Sequence, residues 1–224
     1  MCFSSEASFV GGIIISAIGV AVVTKVHKPS QMLFACIPLF FGIQQFTEGI
    51  LWLTIPRPEL LSIQKIATYL FLIMADVLWP VWIPLSILFM EQNARIRKII
   101  WILFFVGLSV SVYYIFCLVF LHVTPQIMSY HIKYITYFSR TLAIPVFFLY
   151  LVATITPLFV SSIKRMHFFG ILMFFSCAVT AIFFTQFLTS VWCFFAALIS
   201  VVIFWILLDS KRMFLLDKLK ILKL

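Results

Sequence analysis

The sequence predicts an all-α membrane protein: a bundle of seven transmembrane helices, with the amino terminus outside and the carboxyl terminus cytoplasmic. Three observations carry this. Of the 224 residues, 64% are hydrophobic and only 10% are charged, against about 45–50% apolar and about 25% charged in soluble domains. Seven stretches reach the roughly 20 apolar residues that a bilayer-crossing helix needs. The basic residues between those stretches fall mostly in alternate gaps. The composition excludes an ordinary cytosolic enzyme, a disordered chain and a secreted disulfide scaffold.

The predicted spans are 7–24, 32–54, 66–89, 99–121, 139–160, 168–188 and 190–208, forming one bundle over 1–208. A basic tail follows at 209–224 and is expected to rest on the inner leaflet. The first span carries Ser8, Gly12, Ser16 and Gly19 on one face, a small-residue stripe that lets backbones approach closely in lipid. That stripe predicts a first helix packed inside the bundle. The first six residues contain no Lys or Arg, so a retained span is expected rather than a signal peptide. The segment 122–138 begins Thr124-Pro125 and places Tyr130, Tyr134 and Tyr137 at helical spacing. It is expected to form a short interfacial helix.

Orientation follows from charge. Lys25 and Lys28, Arg95, Arg97 and Lys98, Lys164 and Arg165, and the five basic residues of the tail make twelve of the sixteen. The other gaps hold only Arg57, Lys65, Lys133 and Arg140. The first set is cytoplasmic by the positive-inside rule. The net charge of +9 is thus mainly a topology signal, with attraction to anionic lipid second and no nucleic-acid partner expected.

Ionisable groups inside spans are costly and face the bundle interior or a wet cavity. Gln44, Glu48 and Trp52 stand at i, i+4, i+8, with Gln45 beside them, giving the second span a polar face about two turns long. These groups either bond neighbouring helices together or line a pocket open to the outside. Asp76 lies near the middle of the third span, and Pro80 removes the amide that would bond its carbonyl. Pro84 repeats the effect. A kink with free carbonyls beside an acid is expected there, serving either a buried, paired Asp or a proton or ion relay.

Sorted by depth, Cys2, Glu6, Glu48, Cys117, His122, His131 and Cys193 fall toward the outer face. Cys2, Glu48, His131 and Cys193 are the candidate ligands of a divalent metal such as zinc, although no local ligand spacing is present. Methionine removal would leave an amine and a thiol on Cys2. That pair could chelate, attack a substrate or form a disulfide with Cys193. Cys2, Glu48 and His131 are the catalytic candidates. Gln44, Gln45, Trp52, Asp76 and Trp192 are the ligand-binding candidates.

The chain resembles a largely bacterial, seven-helix membrane family of unknown function that opens Met-Cys-Phe-Ser. The matching pieces are Met1-Cys2-Phe3-Ser4, Ala7-Ser8-Phe9, Gly42-Ile43-Gln44-Gln45, Glu48-Gly49 with Trp52, Trp79-Pro80 with Trp82 and Pro84, Phe169-Gly170, and Val191 to Ala196. His131 and Tyr134 resemble its His-x-x-Tyr element, and Ser5 replaces an expected Ala. The resemblance implies the seven-helix architecture and a bacterial inner membrane; it supplies no activity. The last span lacks the Lys that a retinal Schiff base requires, so no retinal is expected. Neither of the last two spans contains a His, which disfavours a ceramidase-like hydrolase.

Three functions fit these residues. The first is an outer pocket that binds or hydrolyses a small or lipid-like molecule. The second is a proton-coupled transporter using Asp76, with Pro145 and Pro157 as hinges. The third is a sensor or scaffold without chemistry.

Overall fold

A computed structural model describes residues 4–136 and 140–207. Seven helical segments are long and apolar enough to cross a membrane: Ser5–Val23, Pro29–Thr54, Pro58–Met90, Ala94–Phe120, Thr141–Val160, Lys164–Phe183 and Thr185–Leu207. The α-helices are α1 (Ser5–Val23), α2 (Met32–Ala35), α3 (Ile37–Thr54), α4 (Leu61–Leu72), α5 (Trp79–Met90), α6 (Ala94–Phe120), α7 (Arg140–Val160), α8 (Lys164–Phe183) and α9 (Leu188–Ile199). The tail at 209–224 lies outside the described residues.

Local chemistry sets several helix starts. The Ser4 hydroxyl accepts from the Ala7 amide at 3.2 Å, capping α1. The Asn93 side chain accepts from the Arg95 and Ile96 amides at 2.9 and 3.4 Å, capping α6. The small-residue stripe of α1 meets α3 as expected. A methyl group on Gly12 would lie 3.1 Å from the Phe46 ring, and one on Gly42 would run into the Ser16 hydroxyl. The position of α1 differs from expectation, however. Val10, Ile13, Ile14 and Val20 are exposed, so α1 flanks the bundle on α3 rather than entering its interior. One small-residue face supports one close contact, and the bulky residues on the other sides suit lipid.

The segment expected as an interfacial helix is a β-hairpin, with β1 at Val123–Met128 and β2 at His131–Thr136. The period is two, not 3.6. Pro125 pairs with Tyr134 and Ile127 with Ile132, on the face turned to the bundle, where Pro125 and Ile132 are buried. Val, Ile, Thr and Tyr favour a pleated, half-buried surface, and this outweighed the helical tyrosine spacing. Ser129, at φ 57°, turns the chain between Met128 and His131. Tyr134 stacks on Phe71 of α4 with ring centroids 5.0 Å apart, Tyr130 stands exposed at the tip, and Tyr137 lies outside the described residues. The hairpin therefore plugs one end of the bundle over Leu51, Phe71, Leu118 and Cys193.

Between α4 and α5 the chain forms one π-helical stretch, Ile73–Leu78, containing Asp76. In that register the carbonyl facing Pro80 belongs to Ala75 rather than Asp76, and Pro80 has no amide to offer it. The Tyr150 hydroxyl of α7 donates to the Ala75 carbonyl instead, at 2.7 Å, and the Ser111 hydroxyl of α6 donates to the Val77 carbonyl at 2.7 Å. Irregular backbone at this depth is thus satisfied by neighbouring helices, as an apolar surrounding demands.

At the opposite, basic end, Glu91 joins two loops. It is 1% exposed. Its carboxylate accepts from the Gln92 and Asn93 amides at 3.0 and 2.9 Å, and from the Ser162 amide and hydroxyl at 2.8 and 2.7 Å. Burial raises its pKa, but these hydrogen bonds outweigh burial and hold the carboxyl below the usual carboxylate range.

Candidate functional site

The polar face of α3 is assembled as its spacing predicts. Gln44, Gln45 and Glu48 are all fully buried. Glu48 accepts a hydrogen bond from the Ser190 hydroxyl at the start of α9. One turn deeper, the Gln44 amide donates to the Cys193 sulfur at 3.2 Å. Ser190 and Cys193 are three residues apart on α9, as Glu48 and Gln44 are four apart on α3, so two polar pairs stack along one helix contact. Neither end of the Gln45 amide finds a partner among the described residues, nor does the Gln44 carbonyl oxygen. Buried amides left open in this way mark a place where further polar groups belong.

Three cavities follow α9 inward from the hairpin. The outermost holds about 190 Å³, between Ile132 and Tyr134 of β2 and the turn Thr185–Phe187, with Leu188, Thr189 and Ser190 as its floor. The next, about 60 Å³, shares Leu188 and Thr189 with it and is lined by Asp76, Tyr114, Phe147, Tyr150, Trp192 and Cys193. The deepest, about 30 Å³, shares Tyr150, Trp192 and Cys193 with the second and is otherwise lined by apolar and aromatic residues and Thr154. Glu48 thus stands behind the floor of the first through Ser190, and Asp76 opens into the second.

The remaining candidates divide. Trp192 lines both inner cavities and donates from its indole N–H to the Ser176 hydroxyl at 3.2 Å. Trp52 packs with the cluster beneath the hairpin, its indole N–H without a partner among the described residues. His131 lies on the strand face opposite Ile132 and Tyr134, against Phe184 and Phe187 at 5.3 and 4.7 Å between centroids. Burial lowers the pKa of its imidazole. Among the described residues no three His, Cys, Asp or Glu come together as a metal site. Cys2 lies outside them, and with it the expected metal set and any pairing with Cys193.

Sequence reasoning missed Ser190, Thr189, Tyr114, Phe147 and Tyr150. Serine, threonine and aromatic residues inside a span are ordinary packing residues, and only the fold shows that these face a carboxylate or a cavity.

Seven helices long and apolar enough to cross a membrane define a polytopic helical membrane protein. The chain belongs to DUF6629, a family of unknown function, whose model matches residues 1–214. No curated protein and no solved structure matches it.

Proposed function

We propose that this protein is a membrane receptor or carrier for a small or lipid-like molecule, taken up from the hairpin end into the cavities along α9. The observation that carries this reading is the shared wall: Leu188 and Thr189 border both the wide outer cavity and the inner one that contains Asp76. Polar groups at the floor and apolar walls around them are what a ligand pocket needs for orientation and affinity. The excess of Lys and Arg in alternate loops supports taking the hairpin end as the outer one and the basic loops as cytoplasmic.

Native mass spectrometry of protein purified in mild detergent tests this. The unaltered protein should retain a bound small molecule. Thr189→Trp, which fills the shared wall, should lose it while keeping the helical circular dichroism spectrum. Equal retention in both, or no retained mass in the unaltered protein, would refute the reading.

A transporter reading draws on Asp76, which sits in a π-helical turn at mid-span beside a cavity. Such turns recur at functional sites. In proteoliposomes Asp76→Asn should then abolish flux; undiminished flux would remove this reading.

A further inference from the structure

The cavity at Asp76 has walls of an unusual kind. Four aromatic side chains, Tyr114, Phe147, Tyr150 and Trp192, line it together with a single carboxyl. Trp192 stands at 80° to Phe147 and 65° to Tyr150, and Tyr114 at 85° to Tyr150. Phe147 and Tyr150 are nearly parallel, at 16°. These are the angles of adjacent and aligned walls of a box.

The polar ends of two walls are engaged elsewhere. The Tyr150 hydroxyl donates to the Ala75 carbonyl and the Trp192 indole N–H to Ser176, which fixes both rings in place. Among the described residues none donates a hydrogen bond or brings a positive charge to the Asp76 carboxyl, which opens into the cavity.

An aromatic face attracts a cation through its quadrupole, and does so more strongly away from water. A carboxyl in a span without a counter-ion is costly. One ligand class answers both features. We propose that the Asp76 cavity binds a small organic ammonium ion, with Asp76 as counter-charge and the four rings as the cage.

The cavity is small, about 60 Å³, against the roughly 150 Å³ that holds a benzene ring, so only a compact headgroup suits it. Inorganic cations fit less well, because they need several oxygen ligands, and the ring walls offer few. The proposal rests on the reading above only for the route in, past Leu188 and Thr189.

Equilibrium dialysis of the full-length protein in nanodiscs against labelled tetramethylammonium tests it. Saturable binding is expected. Unlabelled tetramethylammonium should displace the label, and tert-butanol, a neutral molecule with the same number of heavy atoms, should not. Asp76→Asn should weaken binding at least about tenfold, and Trp192→Leu by about three- to thirtyfold.

Absence of saturable binding, equal displacement by tert-butanol, or undiminished binding by Asp76→Asn would each overturn the proposal. The tert-butanol comparison uses the unaltered protein, so it decides even if Asp76→Asn fails to fold. If tetramethylammonium fails to bind while a native ligand is still retained, the ammonium assignment falls and the pocket stands. If it binds equally well to Thr189→Trp, the route falls and the ammonium site stands.

Discussion

The Ser190 hydroxyl donates to the Glu48 carboxylate across the contact between α9 and α3, joining positions 142 apart in the chain. The pair lies under the floor of the outer cavity, and Gln44 repeats the contact one turn deeper on Cys193. Glu48 is thereby held at the junction of bundle and cavity.

Removing the donor should be felt more than removing the sulfur. Ser190→Ala leaves a fully buried carboxyl short of a hydrogen bond, which costs about 1–3 kcal/mol. For a chain of this size that is a fall of about 2–4 °C in Tm for each kcal/mol. Cys193→Ser keeps an acceptor for Gln44 and should shift Tm less. Thermal unfolding in detergent compares the two, and a larger loss from Cys193→Ser would contradict the assignment.

Gly107 of α6 should resist any side chain. A methyl group there would run into the Pro80 carbonyl oxygen, an overlap with backbone that cannot swing aside. Gly49→Ala would meet only the Phe9 ring, at 3.0 Å. Overpacking costs about 1–3 kcal/mol or more. Gly107→Ala should therefore lower the unfolding midpoint clearly, and Gly49→Ala little; equal tolerance would show that α5 and α6 do not meet at this point.

Glu91 gives the basic end a pH dependence of known sign. Its folded-state pKa lies below the ordinary value of 4.5. Its stabilisation is therefore present in full above that value and is lost as pH falls through the lower, folded-state value. Unfolding midpoints taken from pH 7 down to pH 3 should drop more steeply for the unaltered protein than for Glu91→Gln. Parallel curves would mean that the loop contacts to Ser162 contribute nothing.

The seven spans were legible because lipid demands long apolar runs, and the Gln44–Glu48 face was legible because helical spacing puts those residues on one side. The hairpin was not. Three tyrosines at helical intervals masked an alternation in which Pro125, Ile127, Ile132 and Tyr134 share one face. The edge position of α1 was equally hidden, because a stripe of small residues shows one close contact and says nothing about the other sides. The partners Ser190, Tyr150 and Ser111 could not be read at all, since each bonds a group more than thirty positions away. Glu91 did leave a trace: it is the lone acid just ahead of the basic run Arg95, Arg97 and Lys98.

Access along α9 from outside the cell is the central claim, and thiol labelling of Thr189→Cys tests it most directly. The variant is made with the native cysteines replaced, and intact cells are exposed to a small, charged methanethiosulfonate that does not cross membranes. The expected result is modification of Thr189→Cys from outside, with Lys98→Cys reacting only after permeabilisation. Thr189→Cys that reacts only in permeabilised cells, or stays unmodified until the protein is denatured, would contradict the account.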